Sequence, residues 1–370
     1  MIGQVLSDGG ELTRVYTREH GLTTDKGVLQ QVTGTWEYTS LFEGKDVEYA
    51  KLLTEGESLR SLCPEEIRLD AEFVFKRIDG FANSLKVAKF NDSSLGIADI
   101  LPEWLLRDFL DIKTRVCEEI LTKRPKPGCY EQLYKIHKII YEMNKNEING
   151  RKIAYNMFGT KTGRLVTEKH SFPVLNLPKG QRKVVESRHG FLLEIDYNAM
   201  EPRVLLGLNG VEQPTHDVHS WISNNLFGKS MDRDSSKIEL FRWMYGGEVR
   251  ASSKLDRIFN KEKILSRFYE DGEIKTVYGR TVECERPYLA MSYIIQSTSN
   301  DLFFEQIYKV RELLREYKSQ LYFCVHDSIV LDMFEDETFL IEQIVNILED
   351  TRFGKFKVQA KTGQNYGELK

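Results

Sequence analysis

Cysteine is scarce, and its spacing carries no pattern. The five residues, Cys63, Cys117, Cys129, Cys284 and Cys324, are odd in number and include no CxxC pair. That argues against structural zinc and for a reducing compartment. Proline is also rare, nine in 370 residues, so the chain is not a proline-rich polymer. No uninterrupted apolar run is long enough to span a bilayer, and the opening MIGQVLSDGGELTR has no apolar signal-peptide core. The expectation is a cytoplasmic protein with no membrane partner, in the host cytoplasm if the chain is viral. Internal repeats and low-complexity segments are absent. So is an overall positive charge, since the formal net charge is −4.

What is present is an ordinary globular composition, 41% hydrophobic and 29% charged, at a length that buries a large core and divides into subdomains. The charge is unevenly spread. Leu121 to Gly190 carries a net +10, which leaves −14 for the remainder. A basic segment in an otherwise acidic chain is the footprint of a localised polyanion site, although basic surface helices without a ligand are common.

Along the chain, residues 1–60 are weakly patterned and read as a small mixed module of uncertain fold. Helical periodicity follows at about 64–86, 102–123 and 130–146, broken by Lys123-Arg-Pro-Lys-Pro-Gly128. Asp70-Ala-Glu72 falls within the first of these and reads as helix surface, not as part of a nuclease. After Asn149-Gly150 the pattern changes. Arg151–Asn156 and Gly190–Tyr197 are strand-like, and helices are expected at about 199–208, 216–226 and 232–247. A strand is expected at 274–278, then a long helix at about 287–317. Lys318–Asp332 reads as strand, tight turn, strand, followed by a helix at 337–350 and a strand at Lys355–Ala360. The class is α+β.

The stretch DRDSSKIELFRWMYGG, residues 232–247, spaces Arg233, Lys237, Phe241 and Tyr245 four apart. On a helix such residues lie nearly above one another, drifting by about 40° per step. One side then shows two cations followed by two rings and stops at two glycines. Cations for phosphates and rings for base and sugar suit a nucleoside triphosphate. A packing helix with solvated cations would show the same pattern.

Asp196 and Asp327 each end an otherwise apolar β run. A lone Asp there is commonly a turn residue or a cap. Two such strands side by side would bring two acids together, and the repulsion is relieved by a divalent cation. Hard oxygen ligands and an incoming phosphate fit two magnesium ions, with manganese as a substitute, clamping an in-line phosphoryl transfer.

An ordered set of motifs resembles the family A DNA polymerases, those like bacterial DNA polymerase I, over roughly residues 145–370. Asp196-Tyr-Asn-Ala-Met-Glu201-Pro-Arg203 resembles the first palm motif. Arg233, Lys237, Phe241 and Tyr245-Gly246 match the fingers helix, and Val325-His326-Asp327 the second palm motif. Thr162-Gly163-Arg164-Leu165, Leu175-Asn-Leu-Pro178, Asp217-Val-His219, Gln296-Ser-Thr-Ser-Asn-Asp301 and Lys361-Thr-Gly-Gln-Asn-Tyr-Gly367 follow the family's order.

The resemblance implies a right-hand polymerase fold: an antiparallel palm at 151–208 and 274–370, reduced helical fingers at 209–273, and a thumb-like helical region at 61–150. It implies Asp196 and Asp327 as metal ligands, with the Tyr197 carbonyl helping. Arg233, Lys237 and His219 would grip the triphosphate, Phe241 would stack on the incoming nucleotide, and Tyr245 would pack near the nascent pair. Glu201, beside Tyr245, would crowd the ribose 2′ position, and Arg164, Gln296 and His326 would contact the primer–template minor groove and primer end. Arg203 would brace the palm.

The implied activity is DNA synthesis on primer–template DNA from dNTPs, in phage or mobile-element replication. No exonuclease domain is expected in the first 150 residues, so a separate exonuclease or processivity subunit becomes an expected partner. Ser328 departs from the family's usual Glu, Ser292 from an Asn and Ser297 from a Gly. His-Asp-Ser also occurs in single-subunit RNA polymerases, which keeps an RNA polymerase or primase-like activity open. A catalytically silent primer–template-binding scaffold is the remaining alternative.

Overall fold

A computed structural model describes residues 1–8, 10–89, 100–227, 231–247, 249 and 252–370. They form two compact units, residues 1–141 and 142–370.

The first unit opens with an antiparallel sheet of β1 (Gly3–Asp8), β2 (Glu11–Thr17) and β3 (Gly21–Thr23). Beyond two short helical turns at Lys26–Gln30 and Ala50–Leu53, the longer helices among the described residues of this unit are α1 (Arg68–Val87), α2 (Glu103–Lys123) and α3 (Tyr130–Met143). The helical expectations at 64–86, 102–123 and 130–146 match these to within a few residues. Asp70 and Glu72 lie on α1, where Glu72 pairs with Arg60 at 3.8 Å. Helix α2 packs on β1, β2 and α1 through a buried stripe that includes Leu105, Leu106, Leu110, Val116 and Ile120.

His137 on α3 is buried, and its Nε2 accepts the Tyr38 N–H at 3.2 Å. Burial holds this imidazole down at a pKa of about 4, so it folds neutral. A histidine depressed on folding adds stability above its unfolded pKa, and that stability is lost as pH falls through the folded one. Unfolding free energy should therefore drop between about pH 6.5 and 4, by up to roughly 3 kcal/mol from this group. Denaturant melts of His137→Gln should show a flatter profile across that window.

The second unit is built on a four-stranded antiparallel sheet. Before the sheet, the strand expected at 151–156 is divided in two. Arg151–Lys152 pairs with Glu147–Ile148 across a turn at Asn149-Gly150, where both φ angles are positive (52° and 72°). Tyr155–Asn156 pairs separately with Val166–Thr167.

Next come β4 (Phe191–Tyr197), α4 (Met200–Leu208), α5 (Val218–Ile222) and a π-helical turn (Ser223–Phe227). They are followed by α6 (Arg233–Met244), α7 (Ser252–Ile258) and α8 (Lys261–Phe268). The strand expected at 274–278 is instead a meander of β5 (Tyr269–Glu270), β6 (Glu273–Lys275) and β7 (Thr281–Glu283). Its first turn is Asp271-Gly272, again with both φ positive.

Helix α9 (Ala290–Leu314) is buried on nearly every side and packs on α4. The hairpin β8 (Gln320–Val325) and β9 (Ser328–Met333) leads to α10 (Leu340–Glu349) and β10 (Val358–Gly363). The last strand begins later than expected, because Gly354–Lys355 turns back to pair with Asp350–Thr351. The sheet order is β8-β9-β4-β10, antiparallel throughout. Among the described residues no helix is long and apolar enough to cross a membrane.

Candidate nucleotidyl-transfer site

Strand β4 alternates. Ile195 and Tyr197 are buried, while Glu194 and Asp196 occupy the other face. In register with β9, Asp196 lies opposite Ser328, and the Tyr197 N–H donates to the Asp327 carbonyl at 3.3 Å. Asp327 occupies the two-residue turn between β8 and β9, beside His326 at φ +54°. The pairing thus brings together the two acids that lie far apart in the sequence.

Burial, then Glu194 and Asp327, push the Asp196 carboxyl up to about 6. Burial raises Asp327 as well, opposed by Arg164 and His326. Both acids would release that cost to a divalent cation. The donors are hard carboxylate oxygens, which fit magnesium or manganese completed by phosphate and water. Among the described residues, no three His, Cys, Asp or Glu side chains converge as a preformed metal cage. The Tyr197 ring is in the core, where its hydroxyl donates to the Leu348 carbonyl at 2.5 Å and the ring packs edge-on to Phe303 and Phe356. Only its backbone is left for the site.

After β4 the chain turns at Ala199 (φ +56°) into α4 and places Glu201 in the first helical turn. Glu201 is buried. One oxygen accepts from Arg164, and the other accepts from the Tyr245 hydroxyl at 2.7 Å. The Gln296 side chain lies beside the Tyr245 hydroxyl. Burial raises the Glu201 carboxyl, with Arg164 and Tyr245 lowering it and Asp327 adding to the rise. Arg164, Glu201, Tyr245 and Gln296, scattered in sequence, therefore form one cluster beside Asp327. Arg164 follows Gly163, whose φ is +79° and whose missing Cβ would lie 2.9 Å from the Arg280 Cζ. Arg280 is bound in turn by buried Asp301, from the Gln296–Asp301 motif.

Helix α6 starts at an Asp232 cap whose carboxylate accepts the Ser235 N–H at 2.7 Å. It stops before Gly246, at φ +80°, where a Cβ would sit 2.6 Å from the Tyr288 carbonyl oxygen. Tyr245 is half-exposed and stacks on Phe241 with ring centroids 5.8 Å apart, and the His219 ring lies 6.0 Å from that of Phe241. Burial lowers His219 to about 4, with Lys237 and Arg233 contributing, so the ring is neutral at pH 7. Its Nδ1 is buried without a hydrogen-bond partner among the described residues. Lys237 and Arg233 are exposed. His326 is exposed and lines a small pocket with Arg164, Asn300 and Asp327.

Arg203 is fully buried. It donates to the carbonyls of Asn198 at 2.9 Å, Pro214 at 3.0 Å and His216 at 3.0 Å, a structural brace. Sequence reasoning passed over Glu194 and Asp217. Glu194 accepts the Ser328 hydroxyl at 3.2 Å and faces the same way as Asp196, which the period-two alternation of β4 could have revealed. Asp217 was part of a recognised motif but was given no role.

No family model matches the chain. Among curated proteins it is similar to DNA polymerase theta of Caenorhabditis elegans, 22% identical over 308 residues, covering 69% of this chain and 19% of that protein. It is also similar to a DNA polymerase of Bacillus phage SP01, 24% identical over 292 residues, covering 58% of this chain and 31% of that protein. The chain thus spans under a third of the length of these curated relatives. Among solved structures it resembles the POL domain of Pol1 from M. smegmatis, determined in complex with DNA primer-template and dNTP. The TM-score is 0.51 at 15% identity, covering 86% of this chain and 67% of that one. The chain is thus similar to DNA polymerases in sequence and has the fold of a polymerase domain.

Proposed function

We propose that the chain is a template-directed DNA polymerase that adds deoxynucleotides to a primer 3′ end by a two-metal reaction and releases pyrophosphate. The observation that carries this reading is the β4–β9 pairing, which sets Asp196 and Asp327 together with raised pKa values, beside a helix whose exposed cations and stacked rings suit a nucleoside triphosphate. Bound at the two acids, magnesium or manganese would supply the positive charge that favours the primer alkoxide and the leaving pyrophosphate.

The protein's own groups do the rest. Arg233, Lys237 and His219 hold the phosphates, the neutral His219 donating one N–H. Phe241 stacks on the incoming base or sugar. Glu201, fixed from both sides, fills the space a 2′-hydroxyl would need. Arg164, Gln296 and His326 contact the primer–template, and basic residues of the second unit within 142–190 meet its phosphates.

The similarity to a phage polymerase supports a place in phage or mobile-element replication, in the cytoplasm of the cell or host. A separate exonuclease or processivity subunit would then be a partner. A ribonucleotide polymerase is the second reading, and the observation that favours it is Ser328. The buried, doubly held Glu201 argues against it.

Single-nucleotide addition opposite each of the four template bases tests the proposal. The complementary deoxynucleotide alone should be added at every base. Addition regardless of template would contradict a templated reaction.

A further inference from the structure

Asp217 has no part in the chemistry above, yet its contacts reach three of the elements that build the site. Both of its oxygens engage the Arg233 guanidinium, Nε to Oδ2 at 2.9 Å and Nη2 to Oδ1 at 3.1 Å. Oδ2 also accepts the Ser220 N–H at 2.8 Å and the Ser220 hydroxyl at 2.9 Å, which caps α5. Oδ1 accepts the Asn198 side-chain amide at 3.4 Å. Asn198 directly follows β4, and its own N–H is tied to the Lys357 carbonyl at 2.9 Å. One carboxylate therefore links the strand that carries Asp196, the helix that carries His219, and the first residue of the helix that carries Lys237 and Phe241.

The pairing has consequences for binding. An arginine at the exposed start of a helix samples many rotamers, and a bidentate carboxylate selects one. A guanidinium has five N–H groups. Asp217 takes one from Nε and one from Nη2, and Asp234 takes one from Nη1 at 3.0 Å, so the remaining protons are held in a fixed direction. The same carboxylate fixes the start of α5, two residues before His219, whose buried Nδ1 lacks a partner among the described residues.

We propose that Asp217 is a positioning residue for triphosphate binding, setting the Arg233 guanidinium and the His219 helix in the arrangement that receives the phosphates. This rests on the polymerase reading for the roles of Arg233 and His219.

The test is equilibrium binding of a fluorescent, non-incorporable deoxynucleoside triphosphate, and of the matching monophosphate, to the protein on a dideoxy-terminated primer–template with magnesium. Asp217→Asn keeps a good helix cap while removing the charge, and Asp217→Ser is a second variant that also caps. Each should weaken triphosphate binding about tenfold, leave monophosphate binding unchanged, and add nothing in an Arg233→Ala background. Additive losses, equal losses for mono- and triphosphate, or unchanged or tighter triphosphate binding in Asp217→Asn while Arg233→Ala weakens it would each overturn the proposal and leave the polymerase reading standing. A wild type that binds no triphosphate overturns both.

Discussion

Asn in place of either Asp196 or Asp327 should lower nucleotide addition by roughly 1,000-fold or more, because metal-centred charge stabilisation is worth several kcal/mol and each 1.36 kcal/mol is a factor of ten. The fold should not suffer. A carboxyl raised on folding contributes stability that is present below its unfolded pKa and lost as pH rises through the folded one. For Asp196 that window runs from the ordinary 3.8 to about 6. At pH 8 the ionised pair is therefore a cost to the metal-free fold, and a neutral Asn removes part of it. Thermal melts at pH 8 without metal should show each variant at least as stable as the wild type. Rate loss accompanied by unfolding would instead mean that the acids act as structural groups.

Glu201→Ala should lower the preference for deoxy- over ribonucleotides, measured as the ratio of kcat/KM values, by roughly 100-fold, the scale of discrimination a single pocket contact supplies. Two features make Glu201 suited to that role. Its carboxylate is buried, and it is held by Arg164 and by the Tyr245 hydroxyl at 2.7 Å, so it cannot swing away from an incoming sugar. Glu201→Gln separates bulk from charge. It keeps the size and an acceptor for Tyr245 but loses the ion pair with Arg164. Discrimination should survive largely intact in Gln and fall in Ala. An equal fall in both would mean that the Arg164 pair, and not the volume of the side chain, excludes the 2′-hydroxyl.

The strands that carry the acids were legible before any coordinates, because strand period and apolar runs define β4, β8 and β9 and leave an acid at the end of one and in the turn of the other pair. The four-residue spacing on α6 was equally legible, and both stacked rings follow from it. Four things were missed. Arg164 and Glu201 are 37 residues apart, and nothing local says that they meet or that Gln296 lies beside them, whereas the resemblance did place Glu201 beside Tyr245. The ion pair of Asp217 with Arg233 depends on how α5 meets α6, a packing geometry that neither helix encodes alone. Asp271-Gly272, a hairpin signal in its own right, lay just ahead of the strand expected at 274–278 and was passed over, which hid the meander. The neutral state of His219 comes from tertiary burial, which is invisible in a short polar segment such as Asp217–Ser220.

If two acids on paired strands carry templated DNA synthesis, extension of a labelled primer–template with magnesium, deoxynucleotides against ribonucleotides, shows it most plainly for the wild type beside Asp327→Ala. Extension should occur with deoxynucleotides alone and be lost in the variant while primer–template binding is retained. Extension that persists in Asp327→Ala, or a wild type that binds primer–template tightly and extends it with neither nucleotide, would rule that role of the acids out.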